Sequence, residues 1–327
     1  MTGDSCEFGF VVIGRNEGER LKQCVLSLPE NAIVVYVDSG STDGSVEWVR
    51  DRGINVVELE AHLGFTAARA RNAGFQRLRQ LAPELTYVQF IDGDCELIRD
   101  WPQQALSYLE RHNRVCAVFG RLRERYPSKS IYNWLCDIEW DVPIGEVRAF
   151  GGVVMIRANA LEVVGGYRDD LVAGEEPELC VRLRARGWRI WRLDGEMAVH
   201  DAAMTQFSQW WRRHVRSGYA FAEGAFLHGA APERHWVRES RRALVWGVIL
   251  PIVCGLASAI APPWALATWL VYPLQMLRLF FRGTRPVQDR ALLALFQVMA
   301  RFPEGQGYMK FLSHRMLKQR TPIIESK

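Results

Sequence analysis

The stretch Thr86–Leu97 reads TYVQFIDGDCEL, an apolar strand pattern that runs directly into two carboxylates held one glycine apart. If the tip of that strand is buried, Asp92 and Asp94 repel each other and lose hydration, so a positive group is expected beside them. Asp-Gly is also ordinary turn chemistry, and the run alone leaves metal site and bare turn both open.

The segments before it have the same design. FGFVVIG (Phe8–Gly14) is continuously apolar and closed by glycine, as in a strand covered on both faces. From Glu17 to Leu28 the apolar residues Leu21, Cys24, Val25 and Leu28 keep the spacing of one helical face. AIVVYVD (Ala32–Asp38) is a second strand, followed by a turn in which Thr42 or Asp43 can cap a helix to about Arg52. INVVEL (Ile54–Leu59) is a third strand, Thr66–Leu81 a helix, and TYVQFID the fourth strand. Strands alternating with helices predict an α/β fold: a mostly parallel sheet flanked by helices. Ligands bind such sheets beyond the carboxyl ends of the strands. Three polar strand ends converge there: Gly14-Arg15-Asn16-Glu17, Asp38-Ser39 and Asp92-Gly93-Asp94. No GxGxxG follows the first strand, which disfavours a dinucleotide fold.

The chain has 327 residues, 49% hydrophobic and 24% charged, enough to bury a real core. Its net charge of +4 is mild, but basic residues crowd into Arg182–Arg192, Arg212–Arg216, Arg234–Arg242 and Arg278–Arg290. No aromatic-and-basic recognition module accompanies them, so nucleic acid is not an expected partner and a membrane surface is. The seven cysteines are scattered and never form CxxC, which argues against a zinc knuckle or disulfide framework and for a reducing compartment. The amino terminus lacks the pattern of a secretory signal, so the catalytic part is expected in the cytoplasm.

Four ordered blocks between Phe8 and Gly224 together resemble the family 2 glycosyltransferases, inverting enzymes of the GT-A fold. They are VVIGRNE, VYVDSGSTDG, ARARNAGF followed by FIDGDC, and FGGVVMIRANALEVVGGYRDDLVAGEEPELCVRLRARGWRIWRL with a later VH. The resemblance implies that Asp94 binds Mg2+ or Mn2+, hard ions suited to oxygen ligands and diphosphates, and that His200 completes the metal site. It places Asp92 toward the ribose and Asp38 toward the base or ribose. Gly14, Arg15, Glu17 and Ser39 would line the same nucleotide-sugar site. Relatives often carry a second acid where Ser39 stands, which weakens the inference of UDP as the nucleotide. Arg71 would lie near the diphosphate, where a planar guanidinium fits. Gly151 and Gly152 would let the backbone approach sugar or acceptor closely. Glu176 occupies the place of the family's aspartate base, with Glu175 as its substitute; inversion needs a base to take the acceptor hydroxyl's proton. The two acids could equally serve only to start a helix.

Gln209-Trp210-Trp211-Arg212-Arg213 lacks the final tryptophan of the processive synthases' pattern, so addition of one sugar is expected. Trp210 and Trp211 fit a sugar platform, a lipid interface or plain helix core. Between Arg242 and Arg278 no residue is formally charged. Two apolar segments, 243–261 and 264–281, are separated at Pro262-Pro263 and flanked by arginines. They are read as a membrane hairpin with both ends in the cytoplasm. Because Pro251 and Pro273 interrupt them, a re-entrant or interfacial pair and a buried hairpin stay open. Ala291–Phe302 is read as an amphipathic helix, and the chain from Lys310 as a basic, frayed end.

The expected architecture is thus a GT-A catalytic domain over 1–228 and a helical, membrane-associated region over 229–327. The expected activity is transfer of one sugar from a nucleotide-sugar donor to a saccharide or lipid-linked acceptor. It is placed at the cytoplasmic face of the inner membrane, in surface-polysaccharide assembly and with the assembly proteins as partners. A polyprenyl-phosphate sugar transferase and a non-catalytic assembly subunit on a degenerate transferase fold are the alternatives.

Overall fold

The structure, a computed structural model, describes residues 8–260 and 263–317. Cys6, Ala261, Pro262 and the last ten residues lie outside the described residues. Two compact units divide the chain: the first runs through Leu171 and resumes over Glu175–Thr205, and the second takes Val172–Gly174 and Gln206 onward.

The first unit is a nine-stranded sheet with helices. Its strands are β1 (Phe8–Gly14), β2 (Ile33–Asp38), β3 (Asn55–Glu58), β4 (Tyr87–Asp92), β5 (Cys95–Leu97), β6 (Val115–Glu124), β7 (Gly145–Val147), β8 (Val154–Arg157) and β9 (Arg189–His200). Its helices are α1 (Glu19–Leu26), α2 (Ser45–Arg50), α3 (Ala67–Leu81), α4 (Trp101–Arg111), α5 (Ile131–Glu139), α6 (Ala158–Val163) and α7 (Glu175–Ala185). The order β3-β2-β1-β4-β8-β6-β9-β5 is parallel from β3 to β4. β8 then enters antiparallel between β4 and β6, and β6 and β9 are again parallel. Phe10, Val11, Val12, Tyr36, Val88 and Phe90 are wholly buried, as a sheet covered on both faces requires.

Register places the site. Asp38 lies opposite Gly14, and Ile13 opposite Asp92, so the ends of β2, β1 and β4 stand side by side. With strands about 4.8 Å apart, the ends of β2 and β4 are separated by about 10 Å. Gly44 immediately precedes α2, and Asp43 serves the helix start from one residue further back: its Oδ1 accepts from the Ser45 amide at 3.1 Å and its Oδ2 from the Gly18 amide at 2.9 Å. Thr66 does cap α3, accepting from the Arg69 amide at 3.1 Å. The buried stripe of α3 contains Ala68, Arg71, Gly74, Phe75 and Leu78, the spacing of one helix face, with an arginine in it.

The second unit consists of α8 (Phe207–His228), α9 (Val237–Leu244), α10 (Leu250–Ile260), α11 (Val271–Arg282), α12 (Val287–Met299) and α13 (Arg301–Met316). A π turn, Val245–Ile249, joins α9 to α10, so that Val237–Ile260 is one continuous helix of 24 residues. Pro251 therefore does not break it. The proline cannot donate to a carbonyl one turn back, and the widened turn just before it absorbs the defect. The second apolar segment is not a single α-helix: Pro263–Leu270 is 3-10, and α11 follows with Pro273 in its first turn, where proline is tolerated. The amphipathic helix predicted over 291–302 starts at Val287 and ends at Met299, and the expected frayed end is helical to Met316. Trp210 is buried as helix core, and Trp211 Nε1 donates to Gln306 Oε1 at 2.8 Å.

Gly74 is where α3 meets the sheet. A β-carbon there would lie 2.9 Å from Val37 Cγ2 and nearer still to Val11 Cγ1. Gly74→Val is expected to lower unfolding free energy by about 1–3 kcal/mol through overpacking, measured by urea denaturation. An unchanged midpoint would show that α3 does not press on β1 and β2 there.

Candidate active site

Arg71, carried on the buried stripe of α3, has its guanidinium surrounded by three acids. Nη2 lies 2.9 Å from Asp92 Oδ1, while Nη1 lies 3.1 Å from Glu175 Oε1 and 3.0 Å from Glu176 Oε1. The Arg71 side chain is only 3% exposed. Burial opposes its charge, and Glu176, Asp92 and Glu175 outweigh that and raise its pKa. The Tyr167 ring stands 5.6 Å from the guanidinium carbon. Gly152 lets this cluster close: a β-carbon there would come within 2.7 Å of Arg71 Nη2 and closer to Asp92 Oδ2. Gly151 is different; a β-carbon there would meet nothing within 4 Å.

Glu175 and Glu176 open α7, where acids meet the helix dipole favourably. That accounts for their being on a helix start but not for their aim at Arg71. Burial, and then repulsion from Glu175, push the Glu176 carboxyl up to about 7, against the pull of Arg71. A carboxylate so tuned is a competent proton acceptor near neutrality.

On the other side of the turn, Asp94 Oδ1 lies 3.3 Å from His200 Nε2. Antiparallel pairing of β5 with β9 sets Cys95 opposite His200 and brings the imidazole to the turn. Asp94, Cys95 and His200 place one ligand atom each within 4.8 Å of one another. Burial disfavours the His200 cation, but Asp94 outweighs it and raises the pKa. Glu124 stands 4.0 Å from His200 Nδ1, and Trp140 packs edge-on against the ring at 4.8 Å. Glu124 also accepts from the Tyr126 and Ala202 amides, which fixes it. Three acids, Asp92, Glu175 and Glu176, thus surround one permanent cation, Arg71, while Asp94 faces His200. The donor set at Asp94 and His200, carboxylate with imidazole, fits Mn2+ better than Mg2+.

The remaining predicted residues form the adjoining end of β1 and β2. The Ser39 amide donates to the Gly14 carbonyl at 3.0 Å. Asp38 is 1% exposed, and its carboxylate accepts from Tyr36 Oη and from the Gly40 and Ser41 amides. Those bonds use it to shape the turn. Arg15 stacks over the Phe65 ring at 5.4 Å, and Glu17 pairs with Arg20 at 2.6 Å. Glu17 also borders Gly93, whose β-carbon position lies 3.4 Å from Glu17 Cγ, so the two groups share one edge of the sheet. Sequence reading missed Cys95, Glu124, Tyr167 and Asn72. The last accepts from the Tyr167 amide and donates to the Tyr167 carbonyl, both at 2.8 Å, tying α3 to the 165–169 turn.

A mixed sheet with an acidic turn at the end of β4 has the architecture of the GT-A fold. More narrowly, residues 10–139 match the family described as Glycosyl transferase family 2. No curated protein matches the chain in sequence. Among solved structures it is similar to the mannosyltransferase PcManGT from Pyrobaculum calidifontis in complex with GDP-Man and Mn2+. The TM-score is 0.61 at 20% identity, covering 91% of this chain and 86% of that one. It is also similar to GalNAc-T7 with UDP, GalNAc and Mn2+, with TM-score 0.47, 13% identity and 73% and 55% coverage. A third is glucosyl-3-phosphoglycerate synthase from Mycobacterium tuberculosis with Mn2+, UDP-Glc and glycerol 3-phosphate, with TM-score 0.45, 16% identity and 67% and 79% coverage.

Arg71→Met leaves three acids around an apolar side chain. It is expected to cost about 3–5 kcal/mol of stability, the usual penalty for removing one partner of a buried ion pair. Thermal and urea unfolding measure this, and a variant as stable as the parent would mean the cluster is solvated.

Proposed function

We propose that this chain moves one sugar from a nucleotide-sugar, with a UDP-sugar as the expected donor, to a hydroxyl of a saccharide or lipid-linked acceptor. The configuration at the anomeric carbon is inverted. The observation that carries this reading is the Arg71 bridge, which ties Asp92 of the acidic turn to Glu175 and Glu176. Donor-side and base-side groups are thereby held in one cluster. Asp94 and His200 would hold a divalent ion, which when bound offsets the charge gathering on the leaving diphosphate. Glu176 takes the proton of the acceptor hydroxyl as that oxygen attacks the anomeric carbon opposite the leaving group. Arg71 keeps the Glu176 carboxylate in place, and Glu175 keeps its proton affinity high. Gly152, having no β-carbon to collide with Asp92 and Arg71, lets that bridge close. An acceptor phosphate would need no such base, so the Glu176 environment favours a hydroxyl acceptor over a polyprenyl phosphate.

The same reading places the enzyme at the cytoplasmic face of the inner membrane, in surface-polysaccharide assembly. Among the described residues, one helix, Val237–Ile260, has the length and composition to cross a bilayer, and only 11% of its apolar window is buried. Ile252, Leu256, Trp264, Leu274 and Phe281 are likewise exposed.

A screen of nucleotide-sugars for Mn2+-dependent transfer and hydrolysis by the detergent-purified chain tests the proposal. Asp94→Asn is expected to remove activity with every donor, and Glu176→Gln to lower kcat by about 10²–10⁴ while donor binding persists. Full turnover by Glu176→Gln, with Asp94→Asn dead, would instead favour an acceptor that is already ionised. Because Glu176 must be ionised to act and its pKa lies near about 7, kcat/KM should rise with pH up to about 7 and fall about tenfold per unit below it. A flat profile between pH 5 and about 7 contradicts Glu176 as base.

A further inference from the structure

Within the second unit, a cavity of about 80 Å³ is lined by Arg242, Trp246, Gln275, Leu279, Gln297, Val298 and Arg301. This is several times the roughly 15 Å³ that one water needs. Its chemistry is lopsided. Two guanidinium groups and two side-chain amides line one small space, with apolar walls between them. Arg301 Nη1 is paired with Glu304 at 2.5 Å, and its Nε donates to the Gln297 carbonyl at 3.2 Å. Arg242 has a weaker partner, Glu239, at 3.7 Å, and feels the Glu304 charge as well, but its Nε is buried with no hydrogen-bond partner among the described residues. Like charges facing one cavity repel, and a buried N–H donor without a partner costs free energy. An anion seated between them relieves both.

The walls are held rigidly. Gly247 and Gly305 put the helix through residue 247 and α13 backbone against backbone, because a β-carbon at Gly247 would lie 2.9 Å from Gly305 Cα. The Tyr272 hydroxyl donates to the Trp246 carbonyl at 2.9 Å, fixing α11 against the same helix. Position along the chain identifies the ligand's source. Arg242 is the last charged residue before the uncharged stretch and Arg278, between the lining residues Gln275 and Leu279, is the first after it. From that level the exposed apolar residues Ile252, Val253, Leu256 and Leu274 continue away along the hairpin. The cavity thus stands where polar and apolar surfaces meet, the level of phosphates in a bilayer.

The geometry points to a binding site for the phosphate group of a phosphorylated lipid, held by Arg242 and Arg301 with Gln275 and Gln297, the lipid's chains lying on the exposed face of the hairpin. A terminal phosphate offers the several acceptor oxygens that two guanidinium groups and two amides can satisfy; a phosphate buried within a diester headgroup offers fewer. The inference rests on the membrane placement proposed above but not on the transfer reaction, since its readout is binding.

Flotation of the full-length chain with vesicles decides it. Phosphatidylcholine vesicles containing phosphatidic acid, whose phosphate is terminal, are compared with vesicles containing phosphatidylglycerol at matched surface charge. The unaltered chain is expected to bind the phosphatidic acid vesicles about fivefold more tightly, the worth of one arginine at an anionic surface. Arg242→Gln should erase that preference, while Arg282→Gln, on the exposed end of α11, should weaken both vesicles alike. Equal binding of both vesicles by the unaltered chain overturns the inference without any variant having to fold. So does a preference that survives Arg242→Gln. Binding of inorganic phosphate by the vesicle-free chain, with no preference between the two vesicles, would assign the cavity to the free ion and overturn the lipid as its source.

Discussion

The first unit's functional edge depends on one buried cation. Arg71 is enclosed by Asp92, Glu175 and Glu176, and these come from β4 and α7, distant in sequence. Burying a guanidinium is unfavourable unless its charge is met, and burying the two carboxylates Glu175 and Glu176 together is unfavourable too. Each therefore requires the others. The cluster fixes where α3 lies over β1 and β2, where α7 begins, and why Gly152 has room for no side chain. It also divides labour between two pairs of acids. Asp92 and Glu175 are committed to Arg71, Asp94 is turned to His200, and Glu176 keeps a raised proton affinity.

That division gives the acidic turn its meaning. The two aspartates a glycine apart do not share one protein cation here: Asp92 meets Arg71 and Asp94 meets His200. Gly93 donates its amide to the Ile13 carbonyl at 2.8 Å, and the chain swings the two side chains to different partners. Asp92 is answered by Arg71, whereas Asp94 is turned to the His200 imidazole with Cys95 next to it. The net negative character left at that end suits a divalent ion and, with it, a diphosphate.

The second unit repeats the theme with helices in place of a sheet. Its helices meet through glycines, Gly218 and Gly307 between α8 and α13 and Gly247 and Gly305 beside them, so that backbones touch. Small-residue contacts of this kind give close van der Waals packing between the helices. They hold Arg242 and Arg301 on facing walls of one cavity, again a pair of charges whose position makes sense with a ligand of opposite sign.

Strand, helix and turn came from local chemistry and were legible in the sequence. Continuous apolar runs marked β1, β2 and β4, and their polar ends marked the ligand-binding edge, because a parallel sheet buries both faces and frees only its ends. Even Arg71 could have been placed inside: it stands three residues after Ala68 and three before Gly74, on the apolar stripe of α3. What no local pattern carries is pairing across the chain. Glu124 reached His200 only because β6 lies beside β9, and β8 turned antiparallel between β4 and β6 through contacts far apart in sequence. The occupation of the Asp38 carboxylate by its own turn, and of Asp92 by Arg71, likewise depends on which donors arrive in space. Side-chain type and spacing set what each segment can do; only tertiary packing decides which charge answers which, because Coulomb and hydrogen-bond energies act through distance in space and not along the chain.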